Sequence, residues 1–224
     1  MSTAPVGIYG GSFDPVHIGH LRSALELRDE LGLAEVRFVP SRVPPHRETP
    51  QAPAAMRVKM LQVAVDGLSG FVVDQRELER EGPSFTIDTL ESLRSERPGQ
   101  PVVLLLGMDA FAGLTSWHRW QDVLDCAHIA VARRPGASLP ETGELGRLVE
   151  ARRTSDPARL HRGQGRIIEV EVTALDVSSS AIRELVARGR DPKFLVPDPV
   201  RELVFESHCY SSAAESADPA HGGG

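Results

Sequence analysis

Val6-Gly7-Ile8-Tyr9-Gly10-Gly11-Ser12-Phe13-Asp14-Pro15-Val16-His17-Ile18-Gly19-His20 lies at the start of the chain and decides how the rest is read. A short apolar run that ends in paired glycines and then enters an amphipathic segment is the strand–loop–helix layout of a phosphate site. Glycines let the backbone approach a polyanion, and the start of the next helix offers backbone N–H groups and the positive end of its dipole. His17 and His20 stand three residues apart, a spacing that places both on one helix face, and Gly19 between them removes bulk. Apolar residues recur at Leu21, Leu25 and Leu31, the stripe of a helix packed on a sheet. This end of the helix is expected to hold a nucleotide.

Outward from that stretch, short apolar runs alternate with helical patterns, which predicts an α/β fold built on a doubly wound parallel sheet. Strands are expected at Val6–Tyr9, Val36–Val39, Phe71–Val73, Val102–Leu106, Ile129–Ala132 and Ile167–Val172. Helices are expected at Ile18–Leu31, Ala54–Val65, Thr86–Arg97, His118–Ala127, Glu144–Arg153, Ser178–Arg188 and Asp198–Glu206, with a proline-marked loop from Pro40 to Pro53. One domain over residues 1–210 accommodates these elements. The small and polar residues of 211–224, ending in three glycines, cannot build a core and are expected to form a disordered tail.

A length of 224 residues allows a sizeable core, and a net charge of −6 argues against a broad nucleic-acid surface. Among the 25 basic residues only Lys59 and Lys193 are lysines, a bias that suits bidentate phosphate binding but equally reflects base composition. Cys126 and Cys209, far apart, imply no disulfide framework and fit a reducing compartment. No apolar segment approaches the ~20 residues that span a bilayer, and the first strand begins too early to leave room for a signal peptide. The expectation is a cytoplasmic protein without nucleic-acid or membrane partners, with homo-oligomerisation left open. Neither a His-Glu-x-x-His pattern nor a Cys/His cluster suggests a protein-bound metal.

Val177-Ser178-Ser179-Ser180-Ala181-Ile182-Arg183 is the second constellation. Serines that open a helix supply a cap, hydroxyls and backbone amides together. Arg183, a turn into that helix, can aim its guanidinium back at an anion held at the helix start.

His-Ile-Gly-His resembles the signature of the nucleotidyltransferase superfamily that includes class I aminoacyl-tRNA synthetases and small adenylyl- and cytidylyltransferases. Gly10–Pro15 in front of it resembles the adenylyltransferase branch, and Ser179-Ser180-Ala181-Ile182-Arg183 its phosphate-gripping motif. Val43-Pro44-Pro45-His46-Arg47, Ser84-Phe85-Thr86-Ile87-Asp88-Thr89-Leu90, Gly107-Met108-Asp109 with Trp117, Arg133-Arg134-Pro135-Gly136 and Leu195-Val196-Pro197 are similar to segments of the bacterial nicotinate-nucleotide adenylyltransferases. Separated matches in order, over roughly residues 5 to 206, are far more specific than any one of them. Phe85 stands for the usual tyrosine, Ser180 for a common threonine, and Ser41-Arg42 for a position where relatives carry asparagine.

The resemblance implies the Rossmann-like nucleotidyltransferase fold and transfer of the adenylyl group of ATP to nicotinate mononucleotide, with Mg²⁺ accompanying ATP. It implies a catalytic set of His17, His20 and Arg183. Gly10, Gly11, Ser12, Phe13, Gly19, Gly107, Asp109, Ser179 and Ser180 would complete the ATP site. Arg47, Phe85, Thr86, Trp117 and Arg134 would form the mononucleotide site. Several of these residues have plainer readings: Asp109 and Thr86 as helix caps, Trp117 as core beside a core Trp120, Arg47 as a solvated side chain, and Arg133 as the substrate arginine in place of Arg134. Rival functions are a phosphopantetheine adenylyltransferase, a tRNA synthetase fragment and a non-catalytic dinucleotide-binding regulator. The Trp117 and Thr86 segments speak against the first. The second lacks a Lys-Met-Ser-Lys-Ser motif, and the third has no use for His17, His20 and Arg183 together.

Overall fold

The structure, a computed structural model, describes residues 4–42, 49–133, 136 and 138–211. In chain order the elements are β1 (Val6–Gly11), α1 (Ile18–Leu31), β2 (Glu35–Pro40), α2 (Ala54–Val65), β3 (Phe71–Val73), α3 (Arg76–Glu79) and α4 (Thr86–Glu96). They continue as β4 (Val102–Gly107), α5 (Met108–Ala112), α6 (Val123–Cys126), β5 (His128–Arg133), α7 (Gly143–Arg152), β6 (Arg153–Thr154), β7 (Ile167–Glu171), α8 (Ser179–Ala187) and α9 (Asp198–Ser207). Short 3₁₀ turns lie at Leu114–Ser116, Trp120–Asp122 and Pro157–His161.

The strands form one parallel sheet in the order β3-β2-β1-β4-β5-β7-β6. Parallel strands need crossovers, so helices cover both faces and the central strands are apolar on both sides. Val102 to Leu106 are all buried for this reason. One core packs α1, α2, α8 and α9 against one face through Leu27, Leu31, Met60, Leu61, Ile182 and Val200. The other packs α4, α6 and α7 through Leu90, Leu93, Val123, Leu145 and Val149. Gly7 sits where a Cβ would come 2.8 Å from Leu33 Cδ1 and 3.1 Å from Leu105 Cδ1, so strand and cover approach too closely for a side chain.

The chain runs outward from β1 to β3 on one side and from β4 through β5 to the edge strand β6 on the other, with β7 returning between β5 and β6, which makes the β1/β4 gap the switch point of the sheet. Open α/β sheets bind ligands just beyond the strand ends at such a gap. The register shows how it opens. Pairing of β1 with β4 stops at Ile8↔Leu104, whereas β1 stays paired with β2 as far as Gly11↔Pro40. Tyr9–Gly11 and Leu105–Gly107 therefore diverge.

Several boundaries differ from the sequence reading. β1 runs two residues past the expected Tyr9 and ends on the paired glycines themselves, held by their pairing to Val39 and Pro40. The helix expected over His118–Ala127 is only a 3₁₀ turn followed by the four residues of α6. The break follows Arg119, whose φ of 51° no α-helix accepts. The short α3 and β6 carry too few residues for a periodic signal. Arg76 anchors α3 by donating to Asp74, Ser92 and Glu96. Trp120 is half-buried against the core, as Trp117 is, so burial does not separate the two tryptophans. Residues 43–48 with Arg47, residues 134–135 with Arg134, and 212–224 of the expected tail lie outside the described residues.

Candidate functional site

Two cavities open at the β1/β4 gap and share a wall of Gly10, Gly11, Ser12, Leu106, Asp109 and Ala110. The larger, about 790 Å³, is reached by His17, Gly19, His20, Gly107, Ser178–Ser180 and Arg183, and closed by the 172–177 segment. The smaller, about 330 Å³, is lined by Ser41, Glu77, Ser84, Phe85, Thr86, Thr89, Trp117 and His118. A Cβ on Gly10 would meet nothing within 4 Å, so the backbone here is bare toward open space.

The two histidines are not arranged as the helix-face reading expects. His17 is the residue before α1, in extended conformation, and its ring folds back to stack on His20 with centroids 3.7 Å apart and planes 29° apart. Gly19 permits this, since a Cβ there would lie 3.1 Å from His17 Cε1. The backbone N–H of His17 donates to His20 Nδ1 at 3.3 Å, so the neutral ring of His20 carries its proton on Nε2 and acts as a donor there. The start of α1 is less open than expected, because Ile18 N–H donates to the Leu195 carbonyl at 3.0 Å. Leu195-Val196-Pro197 thus has a structural use behind the site. Phe13 departs further: with φ 48° its ring turns into the core, edge-on to His20 at 5.1 Å and to Phe38 at 5.7 Å, and lines neither cavity. Its side chain supports His20 and leaves any ligand contact to its backbone.

The start of α8 meets the same cavity. Ser178 caps the helix by accepting from Ala181 N–H at 3.2 Å. Ser179 Oγ donates to the Pro15 carbonyl at 2.9 Å, tying α8 to the glycine loop. Arg183 Nη1 donates to the Asp14 carbonyl at 2.8 Å and Nη2 to Ser180 Oγ at 3.4 Å, which turns the guanidinium back toward the helix start.

Around the smaller cavity, α4 begins after Phe85 with no side chain capping its first turn. The Phe85 ring lies 4.3 Å from that of His118, and Trp117 forms a further wall. Thr89 Oγ1 donates to the buried Glu77 at 2.7 Å and accepts from Arg80 Nη2 at 2.7 Å. Burial pushes the Glu77 carboxyl up, against the hydrogen bonds of Thr89 and Ser84 and the charge of Arg80. Asp109 is exposed in the first turn of α5, where Gly107 and not Asp109 is the cap, and it faces both cavities. Arg133 ion-pairs with Glu169 and Glu171 of β7.

Sequence reasoning missed Arg57, Asp14, Glu77 and Tyr210. Arg57, 1% exposed, donates to the carbonyls of Ser12 (2.7 Å), Ser41 (2.9 Å) and Ala52 (3.3 Å), so three loops that wall the cavities converge on one guanidinium. Burial lowers its pKa, opposed by the charge of Asp14. An arginine on the buried face of α2 was the available signal.

Residues 8–185 match the family model described as cytidylyltransferase-like. A protein of Aeromonas hydrophila named "Probable nicotinate-nucleotide adenylyltransferase" is 45% identical over 95% of this chain and all of its own length. One of Pseudomonas putida with the same name is 50% identical over 91% of this chain and 93% of its own. The structure of Plasmodium falciparum nicotinic acid mononucleotide adenylyltransferase complexed with NaAD superposes with a TM-score of 0.69 at 16% identity, covering 93% of this chain and 98% of that one. The parallel sheet, with its histidine and arginine pair over a bare glycine wall, is therefore that of a cytidylyltransferase-like nucleotidyltransferase. Within that class the chain belongs to the nicotinate-nucleotide adenylyltransferase family.

Proposed function

We propose that the two cavities are the two substrate sites of the family's reaction, ATP in the larger and nicotinate mononucleotide in the smaller. The shared wall at Gly10–Ser12 is the observation that carries this assignment. It brings the phosphate of a mononucleotide in one cavity against the α-phosphate of ATP in the other. An oxygen of the mononucleotide phosphate attacks the α-phosphorus, the bond from that phosphorus to the β-phosphate oxygen breaks, and pyrophosphate leaves. Nicotinate adenine dinucleotide is the other product. The attacking phosphate is already ionised near neutral pH, so the protein supplies alignment and charge stabilisation instead of a strong base. His20 Nε2–H, His17, Arg183 and the start of α8 face the triphosphate. The ring of Trp117 and the first-turn amides of α4 receive the pyridine ring and its carboxylate. Asp109, facing both cavities, is placed to accept from ribose hydroxyls.

Mg²⁺ belongs to this reading as part of the substrate. Among the described residues no group of three or more His, Cys, Asp or Glu side chains is placed to hold a metal. The nearby Asp14 carboxylate already accepts from Gln51 N–H, Ala52 N–H and Tyr210 OH. ATP phosphates and water would hold the ion, whose charge offsets that of the triphosphate. Arg133 is committed to β7, which leaves Arg134 as the better candidate for the mononucleotide phosphate; it and Arg47 lie outside the described residues. No described helix is long and apolar enough to cross a membrane. With both cysteines as free thiols, we place the enzyme in the reducing cytoplasm. Pyrophosphate release on adding ATP with nicotinate mononucleotide, absent when either is omitted, tests the reading. Release with phosphopantetheine instead would replace it.

A further inference from the structure

Residues 208–211, after α9, reach back under the phosphate site. After α9 the chain turns at His208, whose φ is 51°, and Ser211 N–H donates to the His208 carbonyl at 3.1 Å. That turn drives Tyr210 inward until it is 3% exposed. Its hydroxyl donates to Asp14 Oδ1 at 2.6 Å, across 196 residues of sequence. The same carboxylate accepts Ala52 N–H on Oδ1 at 3.0 Å and Gln51 N–H on Oδ2 at 2.8 Å, and Arg183 Nη1 stands 3.7 Å from Oδ2 while bonding the Asp14 carbonyl. Asp14 and Arg183 line the larger cavity and not the smaller.

We propose that Tyr210 is a positioning residue for adenylyl transfer: its buried hydroxyl holds the Asp14 carboxylate, and Asp14 holds Arg183 over the triphosphate. The proposal rests on the larger cavity being the ATP site. A phenylalanine would fill the same space, so packing needs the ring and only the network needs the hydroxyl. Burial makes that hydrogen bond to a charged acceptor strong and its loss hard for water to repair. Burial and the Asp14 carboxylate both raise the Tyr210 pKa, so the hydroxyl stays a donor throughout the working range.

The test is Tyr210→Phe in the full chain, after the wild type has been assayed for pyrophosphate release. Displacing a catalytic group by an ångström can cost up to about a hundredfold, so kcat should fall roughly ten- to hundredfold. The KM for nicotinate mononucleotide should stay within about twofold, because neither Asp14 nor Arg183 lines that cavity. In an Arg183→Lys background the same substitution should cost under about threefold, since groups acting through one another are not additive. A melting curve and near-ultraviolet dichroism confirm folding, and if Tyr210→Phe fails to fold, Asp14→Asn should show the same kcat-selective loss. Unchanged kcat, an equal loss in both backgrounds, or a parallel rise in the mononucleotide KM overturns the proposal. A wild type without turnover overturns the functional reading instead; ATP titration by calorimetry then decides whether Tyr210 positions Arg183, which requires affinity to weaken severalfold in Tyr210→Phe, and equal affinity refutes it.

Discussion

The larger cavity is walled by histidine rings, a guanidinium and the start of α8, whereas the smaller has the Phe85, Trp117 and His118 rings, the Glu77 carboxylate and the uncapped start of α4. Both lie at the end of the same sheet and share the same glycines, yet on the proposed assignment they would recognise in different ways. With ATP in the larger cavity, its charged and polar side chains would act on charge that moves during the reaction, so they should govern kcat. A ring stack and fixed amides hold a group that does not react, so they should govern KM and selectivity.

The sharpest way to break this contrast is His20→Ala. Loss of one preorganised donor costs roughly 10²–10³ in kcat, and the fold should persist because His20 is only half-buried at the cavity. Steady-state kinetics on the folded variant decide; near-normal turnover removes His20 from the mechanism. Next in size is Trp117→Ala. A base–aromatic stack is worth about 1–3 kcal/mol, so the KM for the mononucleotide should rise about ten- to hundredfold while that for ATP holds. A variant that loses ATP affinity equally, or unfolds, makes Trp117 core after all.

Substrate choice sharpens the comparison further. Nicotinate and nicotinamide mononucleotides differ by carboxylate against carboxamide. If the mononucleotide sits in the smaller cavity, the uncapped amides at the start of α4 would be satisfied by a carboxylate, whereas a carboxamide would turn a donor toward some of them. An unpaired buried group costs about 1–3 kcal/mol, which predicts a kcat/KM preference for nicotinate mononucleotide of at least about tenfold. Competition assays with equal efficiency for both would show that α4 does not read the carboxylate.

The smallest effect on activity should come from a residue outside both cavities. His128, fully buried at the start of β5, accepts Arg166 N–H at Nδ1, and burial holds its pKa down at about 4 against an ordinary 6.5. The folded form resists a proton that the unfolded chain takes up, so stability is full above about pH 6.5 and declines toward pH 4, at up to about 1.4 kcal/mol per pH unit. His128→Gln should flatten that part of the denaturation-against-pH curve and leave both KM values unmoved. A curve of the same slope in the variant would assign the acid sensitivity elsewhere.

Legibility in the sequence followed the range of the interaction. The strand at Val102–Leu106, the helix at Ile18–Leu31 and the Ser178 cap are local facts of composition and period, and they stand as expected, apart from a residue or so at their ends. Over His118–Ala127 the helical pattern holds for residues 120–126 as a 3₁₀ turn and α6, and it fails at the start, where Arg119 is left-handed.

The sequence by itself determined the longer strands and helices in their order, the placing of His17, His20 and Arg183 at or near two helix starts, and the family to which those motifs belong. These follow from residue types within a few positions of one another, where backbone geometry is dictated by near neighbours. Only the tertiary structure decided that β1 and β4 part after Ile8↔Leu104, that His17 stacks on His20 while Phe13 turns inward, and that Arg57, Asp14 and Tyr210 knit loops 12, 41, 52 and the segment after α9 into one network. Such contacts join residues tens to hundreds of positions apart. Their reward is the satisfaction of buried polar groups, which exists only once the sheet has assembled around them.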